Sequence, residues 1–406
     1  MATTDDTSRT VHREFVGSEP GGNVTRNLNV DPFVDASQQL HRYLVRTHWT
    51  GDVLRGPDPG IRLNARFGRF AKGYLSFVPW KDDLVYLQTQ GYWILDNWLL
   101  QDLFDGVQGG EIAETCSRQV LRLQRPEGYW EYPNPEWKGR VATVEGCFAT
   151  LGLLESFDRL QDECFIDGAI KWYRYVRKSI GFRRQTSPDM LAVNYFAHVA
   201  GDGGGVPNNS TMLLWVLARL AQLTDDDAYL ELCAPMIRWL AHVQLESGEL
   251  PYKIGDGQSP DRIHFLCYQY NAFELVDLVH YYEITGDESV TPILVRLAQY
   301  LSHGVTSEGC GRYSCIQDQP HVTYYTSAIA HSLSLGSRLG LVDLSDAIEC
   351  AYRRVLSEQL PNGSMKSYSQ NNYRVLSDRR SYPRYLAMTL HHLLREVELA
   401  RESDHE

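Results

Sequence analysis

The side chains best suited to chemistry in this chain recur just after glycine-marked turns and at the starts of apolar helical stretches. Residues 268–271 (Tyr268, Gln269, Tyr270 and Asn271) set four bulky hydrogen-bonding side chains in a row, costly to bury unless something satisfies them. Asp96 and Glu145 lie within or at the start of mostly apolar stretches and form the obvious pair for general acid and base work. His264, His321, Tyr268 and Tyr325 could accept or donate a proton at two further helix starts. Arg380 and Arg384 are spaced i, i+4, which places them on one helical face, where two guanidinium groups can clamp a carboxylate, sulfate or phosphate.

Groups so far apart in sequence need a scaffold that gathers them, and a repeated mark in the chain points to one. It runs from Gln124 through Gly128 to Trp130 and Tyr132, from Gln244 through Gly248 to Tyr252, from Ser307 through Gly311 to Tyr313, and from Gln359 through Gly363 to Tyr368. Each copy closes an amphipathic helix, turns on glycine, passes an aromatic residue and leads to the next helix, with room for one degenerate copy between Gly128 and Gly248. Between the marks the hydrophobic period predicts paired helices: 83–104 with 110–124, 141–159 with 162–180, 208–223 with 227–245, 265–284 with 288–303, and 321–339 with 343–359. A helix over 35–48 precedes them and one over 381–397 follows alone, twelve in all. The first helix of a pair is apolar nearly all round, as over Met212–Ala218, and the second is striped, as over Tyr229–Leu240, so the first belongs inside and the second outside. The acidic turns at Asp225–Asp227 and Asp287–Glu288 read as helix caps rather than as a metal or diphosphate motif. The fold class expected is all-α, a single (α/α)6 toroid over residues 31–400, with residues 1–30 a disordered polar tail.

In such a ring every inner helix starts at the same rim, and the glycine-marked linkers lie there too. The candidates that converge are Tyr92, Trp93, Asp96 and Trp98 from the first inner helix, Glu145 from the second, and Asn208 and Asn209 from the third. The fourth brings His264, Tyr268, Gln269 and Asn271, the fifth His321, Tyr324 and Tyr325, and the sixth Arg379, Arg380, Tyr382 and Arg384. Linkers add Trp130, Tyr132, Asn194, Tyr195, Tyr252 and Tyr373. Asp96, Glu145, His264, Tyr268, His321, Tyr325 and Arg380 are the candidate catalytic groups, and the others are candidates for binding. Plainer roles compete: Asn208 or Asn209 as an N-cap, Asp96 or Glu145 as a cap or rim ion pair, and the run Asp378–Arg384 as a solvated helix start.

Composition excludes several partners. The net charge of −12, without a Lys/Arg-rich run, disfavours nucleic acid and anionic membrane surfaces. No stretch approaches the roughly 18 apolar residues of a membrane span, and no secretory signal is visible at the start. The eight cysteines are dispersed, mostly within apolar helical patterns, and read as reduced thiols of a cytoplasmic protein. Neither Cys310 with Cys315 nor His264 with His321 has metal-pair spacing, and Asp256–Asp261 reads as a loop rather than a calcium site, so no metal or cofactor is expected. Nothing in the pattern sets an oligomeric state.

The paired-helix rhythm across residues 80–397, with its Thr-Gly-Asp-Glu turn and Gln-x-x-x-Gly endings, resembles the six-hairpin carbohydrate-active proteins. That group includes unsaturated glucuronyl hydrolases, sugar epimerases, toroidal polysaccharide lyases and several glycosidase families, and the likeness is to its pattern rather than to one family's catalytic motif. Gln124–Trp130 is also similar to the QW motif of squalene-type terpene cyclases, which use related toroids. Against that stand the missing Asp-x-Asp-Asp motif, the lack of tryptophan in the other copies, and the presence of one toroid rather than two. Protein prenyltransferase subunits share the toroid as well, but no matching Asp/Cys/His zinc set is visible. The carbohydrate resemblance implies a small-molecule or oligosaccharide substrate. Trp93, Trp98, Trp130 and Tyr132 would stack on sugar rings, amides and phenols would meet hydroxyls, and the Arg380–Arg384 pair would favour an anionic sugar, most simply a uronate. Glycoside hydrolysis would use Asp96 and Glu145. β-Elimination or C5 epimerisation would use Tyr268, His264, Tyr325 or His321 as base and Arg380 as neutraliser. The rim is richer in Tyr, His, Asn and Arg than in carboxylates, which leans towards proton abstraction; a non-catalytic glycan-binding protein would use the same groups.

Overall fold

A helix with apolar residues on every side has no face to give to water, and a helix with one apolar stripe has one. The computed structural model, which describes residues 30–60, 67–184, 187, 189–197, 204–256, 259–368 and 376–403, sorts the chain on that basis. Among the described residues are thirteen α-helices: α1 (Asp31–Thr47), α2 (Phe67–Tyr74), α3 (Leu87–Leu103), α4 (Gly109–Leu123), α5 (Thr143–Leu160), α6 (Glu163–Tyr175), α7 (Pro207–Thr224), α8 (Cys233–Val243), α9 (Cys267–Thr285), α10 (Thr291–Leu301), α11 (Thr323–Arg338), α12 (Ser345–Ser357) and α13 (Pro383–Ser403). A two-stranded antiparallel hairpin, β1 (Phe182–Arg184) and β2 (Leu191–Val193), lies between α6 and α7.

The inner ring is α3, α5, α7, α9, α11 and α13, each packed on the next, and α13 packs back on α3 to close it. α4, α6, α8, α10 and α12 each pack on the inner helix before them, and α1 packs on α13 as the sixth outer helix. Every residue of α11 from Thr323 to Gly336 is buried, whereas α12 buries only Ile348, Ala351, Tyr352 and Val355. The all-α (α/α)6 toroid is therefore present. One short helix, α2, was not expected: it forms between the first helix and the first pair, where only eight residues carry a helical pattern. α8 and α10 start later than the period suggested, because 3-10 turns over 227–232 and 288–290 precede them. The tail and Tyr373 fall outside the described residues.

The repeated mark is a joint between successive outer helices. Gly128, Gly248, Gly309 and Gly363 have φ of +99°, +91°, +78° and +88°, which glycine adopts without strain. Each also presses on the backbone of the next outer helix. A Cβ at these positions would lie 2.4, 2.2, 2.3 and 2.7 Å from the carbonyl oxygens of Lys171, Arg296, Cys350 and Gln39, in α6, α10, α12 and α1. In the third copy the turn is made by Gly309 and not Gly311. The glutamines complete the joint. The Gln244 amide donates to Gly248 O at 2.9 Å and to Ile293 O in α10 at 3.1 Å, and Gln124 bridges Gly128 O and Gly168 O in the same way. Gln359 ties Gly363 O to Ala36 O of α1, so the last joint brings the two ends of the ring together.

Inside three of the hairpins the acidic turns act as caps: Asp162, Asp226 and Asp287 accept from the backbone N–H groups of Cys164, Ala228 and Ser289 at 3.0–3.1 Å. All eight cysteines are free thiols. No described helix is long and apolar enough to cross a membrane.

Candidate functional site

The inner helices begin on residues that do not cap them. The residues at the N-cap positions of α3, α5, α7, α9 and α11 are Tyr86, Ala142, Val206, Leu266 and Val322, and none caps its helix through a side chain. Five helix starts thus turn the positive ends of their dipoles towards one mouth.

Arg384, in the first turn of α13, is the hub of that mouth. Asp58 holds it bidentately, with Nε to Oδ2 at 2.6 Å and Nη2 to Oδ1 at 3.0 Å, and Nη1 donates to Gln88 Oε1 at 3.1 Å. Its guanidinium lies 5.2 Å from the Tyr86 ring centre and 5.3 Å from that of Tyr385. Tyrosines from the starts of α3, α9, α11 and α13 and from the linkers before α5 and α7 surround it. Burial, opposed by the charge of Arg384, keeps the phenols of Tyr86, Tyr132, Tyr195, Tyr270, Tyr324, Tyr325 and Tyr385 protonated. Tyr324 touches both Tyr325 and Tyr385, at centroid distances of 4.5 and 4.1 Å, and Tyr252 meets Tyr270 at 5.0 Å.

Glu145, in the first turn of α5, is the titratable group of this mouth. Oε2 accepts from the Leu87 N–H at 2.7 Å and the Gln88 N–H at 3.3 Å, so the carboxyl group caps α3 from the neighbouring helix. Burial pushes its pKa up, and the two N–H groups and Arg384 only partly offset this, leaving it at about 7. Unpaired polar atoms sit among the helix starts. Asn209 has neither amide atom bonded although it is 1% exposed, and Gln269 donates to Tyr324 Oη at 3.1 Å while its own Oε1 has no partner. Neither Asn caps α7, where Pro207 occupies the first turn after Val206.

Several expected site residues lie elsewhere. Asp96 does not meet Glu145: it stands nine residues into α3, about 13 Å along the axis. There it bonds His391 Nδ1 at 2.8 Å, where burial raises the acid and lowers the imidazole so that the pair is neutral. The three tryptophans proposed as stacking platforms fill gaps between layers instead. Trp93 stacks on His41 of α1, Trp98 donates to Ser156, and Trp130 donates to Val120 O and packs on Trp172. Tyr268 turns outwards onto Tyr300 of α10, with ring centres 4.9 Å apart. Arg380 and Arg384 do not share a helical face, because α13 begins at Pro383; Arg380 is held bidentately by Asp82 instead. Tyr382 is fully buried and donates to Asp378. Asn271 clasps the backbone of Leu250 at 2.7 and 2.9 Å, as Gln90 clasps Leu54, and Asn194 bonds Arg183 and Ile180 O; these are linker fastenings. His321 is buried with both ring nitrogens unpaired, and its charge neighbours are Asp318, Arg354, Glu308 and Arg312 rather than Arg384. His264 bonds Glu249 at 2.9 Å. Of the expected set, the mouth therefore gathers Glu145, Tyr325, Tyr132, Tyr195, Asn209, Tyr252, Gln269, Tyr324 and Arg384, with Tyr270 from the 268–271 run, and adds Asp58, Tyr86, Gln88 and Tyr385, which sequence reasoning did not select.

The fold is shared with solved structures. The chain is similar to cellobiose 2-epimerase from Bacillus thermoamylovorans B4167, with a TM-score of 0.69 and 13% identity over 91% of this chain and 100% of that one. It is similar to a possible member of glycoside hydrolase family 105 from Klebsiella pneumoniae, with a TM-score of 0.64 and 12% identity over 98% and 100% of the two chains. A polysaccharide lyase matches with a TM-score of 0.63 and 12% identity over 92% and 99%. It is the six-hairpin toroid. No family model matches the chain, and no curated protein does.

Proposed function

We propose that the mouth binds a saccharide and moves a proton on it, with Glu145 as acid or base and Arg384 as the cationic partner of a uronate carboxylate. The observation that carries this reading is a buried carboxyl group with a pKa near 7 beside an arginine, within a wall of tyrosines. Asp58 and Gln88 engage three N–H groups of Arg384 and so fix its plane, leaving two of its five for a substrate oxygen. Phenol faces and hydroxyls suit the apolar faces and rims of a sugar ring, and the orphaned amides of Asn209 and Gln269 suit its hydroxyls. Two-carboxylate hydrolysis needs a second carboxylate able to turn to water or to the anomeric carbon. Asp58 is committed to Arg384, which favours proton abstraction, as in β-elimination or C5 epimerisation. That the structural neighbours include an epimerase, a polysaccharide lyase and glycoside hydrolases supports a saccharide substrate without choosing between the two reactions. The free thiols suit a reducing compartment, and we place the protein in the cytoplasm.

Incubation with a panel of uronate-containing oligosaccharides tests this. Elimination gives the ultraviolet absorbance of a 4,5-unsaturated product, epimerisation gives deuterium exchange at C5 without it, and either is expected to vanish in Glu145→Gln. New reducing ends without absorbance would replace the reading with hydrolysis, and binding without any turnover would make the chain a glycan-binding protein. Binding of isoprenoid diphosphates with no binding of sugars would refute the saccharide reading outright.

A further inference from the structure

On the rim between α8 and α11, three side chains from three linkers meet at one point. Glu249 follows the left-handed Gly248 of the repeated mark, His264 lies shortly before α9, and Cys315 belongs to the segment between α10 and α11. His264 Nδ1 is 2.9 Å from Glu249 Oε2 and 3.2 Å from Cys315 Sγ, and Sγ is 4.0 Å from the same Oε2. The Glu249 side chain is 1% exposed, whereas that of His264 is 42% exposed and Cys315 is open to solvent. Leu266, next to this cluster, holds φ +47°, a conformation costly for leucine that persists where its surroundings impose it.

We propose that Glu249, His264 and Cys315 form a zinc site with a fourth position open to water or a ligand. Thiolate, imidazole and carboxylate together select a borderline cation such as Zn²⁺ over the hard Ca²⁺ and Mg²⁺. Tetrahedral zinc at the usual bond lengths separates its ligand atoms by about 3.3–3.5 Å, and the observed 2.9, 3.2 and 4.0 Å bracket that spacing. A Cys–His–Glu proton relay does not fit, because it would place thiol and acid on opposite ring nitrogens. Here both face Nδ1, which carries at most one hydrogen and cannot satisfy two partners. A cation at the point of convergence satisfies all three. Cys267 Sγ accepts the Cys315 N–H at 3.2 Å and steadies the ligand loop from behind. Two solvent-facing ligands and a buried anchor describe an open site rather than a closed structural one, and the metal would tie three rim linkers together. The inference rests on these three residues alone and stands apart from the saccharide reading.

The test uses the full chain without a tag, stripped with chelator and re-equilibrated with Zn²⁺ or Co²⁺ alone. One zinc per chain by elemental analysis is expected, with a thiolate-to-cobalt charge-transfer band for Co²⁺ and a melting temperature that falls when chelator is added. Cys315→Ser should abolish the band and the retained zinc while leaving the helical circular dichroism intact, and Cys350→Ser should change neither. His264→Ala, at an exposed position, repeats the test should the buried Glu249→Gln fail to fold. A wild-type chain that retains no zinc, or a folded Cys315→Ser that retains it undiminished, overturns the proposal.

Discussion

Replacing Glu145 with glutamine separates a strained acid from a mere helix cap. Burial raises this carboxyl from 4.5 to about 7, so the folded protein binds its proton more tightly than the unfolded chain does. The stability this contributes is present in full below pH 4.5 and is lost as pH rises through 7. At 1.36 kcal/mol per unit, the loss amounts to about 3 kcal/mol between the two limits. Glutamine keeps an oxygen for the Leu87 and Gln88 N–H groups and does not titrate. The assay is urea unfolding of both proteins at a series of pH values, because every other titrating group cancels in the difference. At about pH 5 the two should agree within about 1 kcal/mol, and by about pH 8.5 the variant should have gained about 2–3 kcal/mol on the wild type. A difference flat to within about 0.5 kcal/mol across that range would mean that the carboxyl titrates normally. It would then be a helix cap only, and the acid/base role would fall with it.

The other expectations are more local. Arg384→Met takes the guanidinium away from the buried Asp58 carboxylate, which keeps the Gly60 N–H at 2.8 Å, so it should cost about 3 kcal/mol, and Asp58→Asn in the same chain should recover about half of that in a double-mutant cycle. Gly248→Ala, with a left-handed φ and a Cβ 2.2 Å from a backbone oxygen, should lose about 3 kcal/mol in urea unfolding, whereas Gly106→Ala, with positive φ but open space, should lose only about 1. Trp130→Phe should lower stability by about 1–2 kcal/mol through the broken bond to Val120 O while leaving saccharide affinity within about twofold. Tyr270→Phe should weaken saccharide binding about tenfold, measured by calorimetry, with stability changed by under 1 kcal/mol.

The ring itself was legible because its signals are local and repeated. Apolarity on all sides against a single stripe, acidic caps inside hairpins, and glycine after each outer helix are each a few residues long, and they agree with one another. What escaped was long-range. Gly309 rather than Gly311 makes the third joint because Gly309 meets the carbonyl of Cys350, a contact made across 41 residues of chain. α2 was missed because eight residues between glycines and prolines give too short a period to stand out from a loop.

The site was harder to read because being near an inner helix start does not fix which way a side chain points. Successive residues on a helix turn by about 100°, so Tyr268 faces α10, Gln269 meets Tyr324, and Asn271 clasps a linker, although all sit within one turn. Sorting them from sequence would require the helical phase of each inner helix relative to the ring axis. The tryptophans mislead, since a large ring at a layer boundary is most stable fully buried. A better signal was present in the residues before each helix. Asp precedes three outer helices, or the 3-10 turns that lead into them, and caps them, whereas Tyr, Ala, Val, Leu and Val precede five inner ones and cap none. The same chain that caps three of its outer hairpin helices with aspartate gives no residue of their own to cap five inner ones, on the side where they converge. An uncapped helix start is weaker by about 1 kcal/mol; Glu145 covers the start of α3 from the neighbouring helix, and the four other inner starts without a side-chain cap represent stability given up where an anion can recover it.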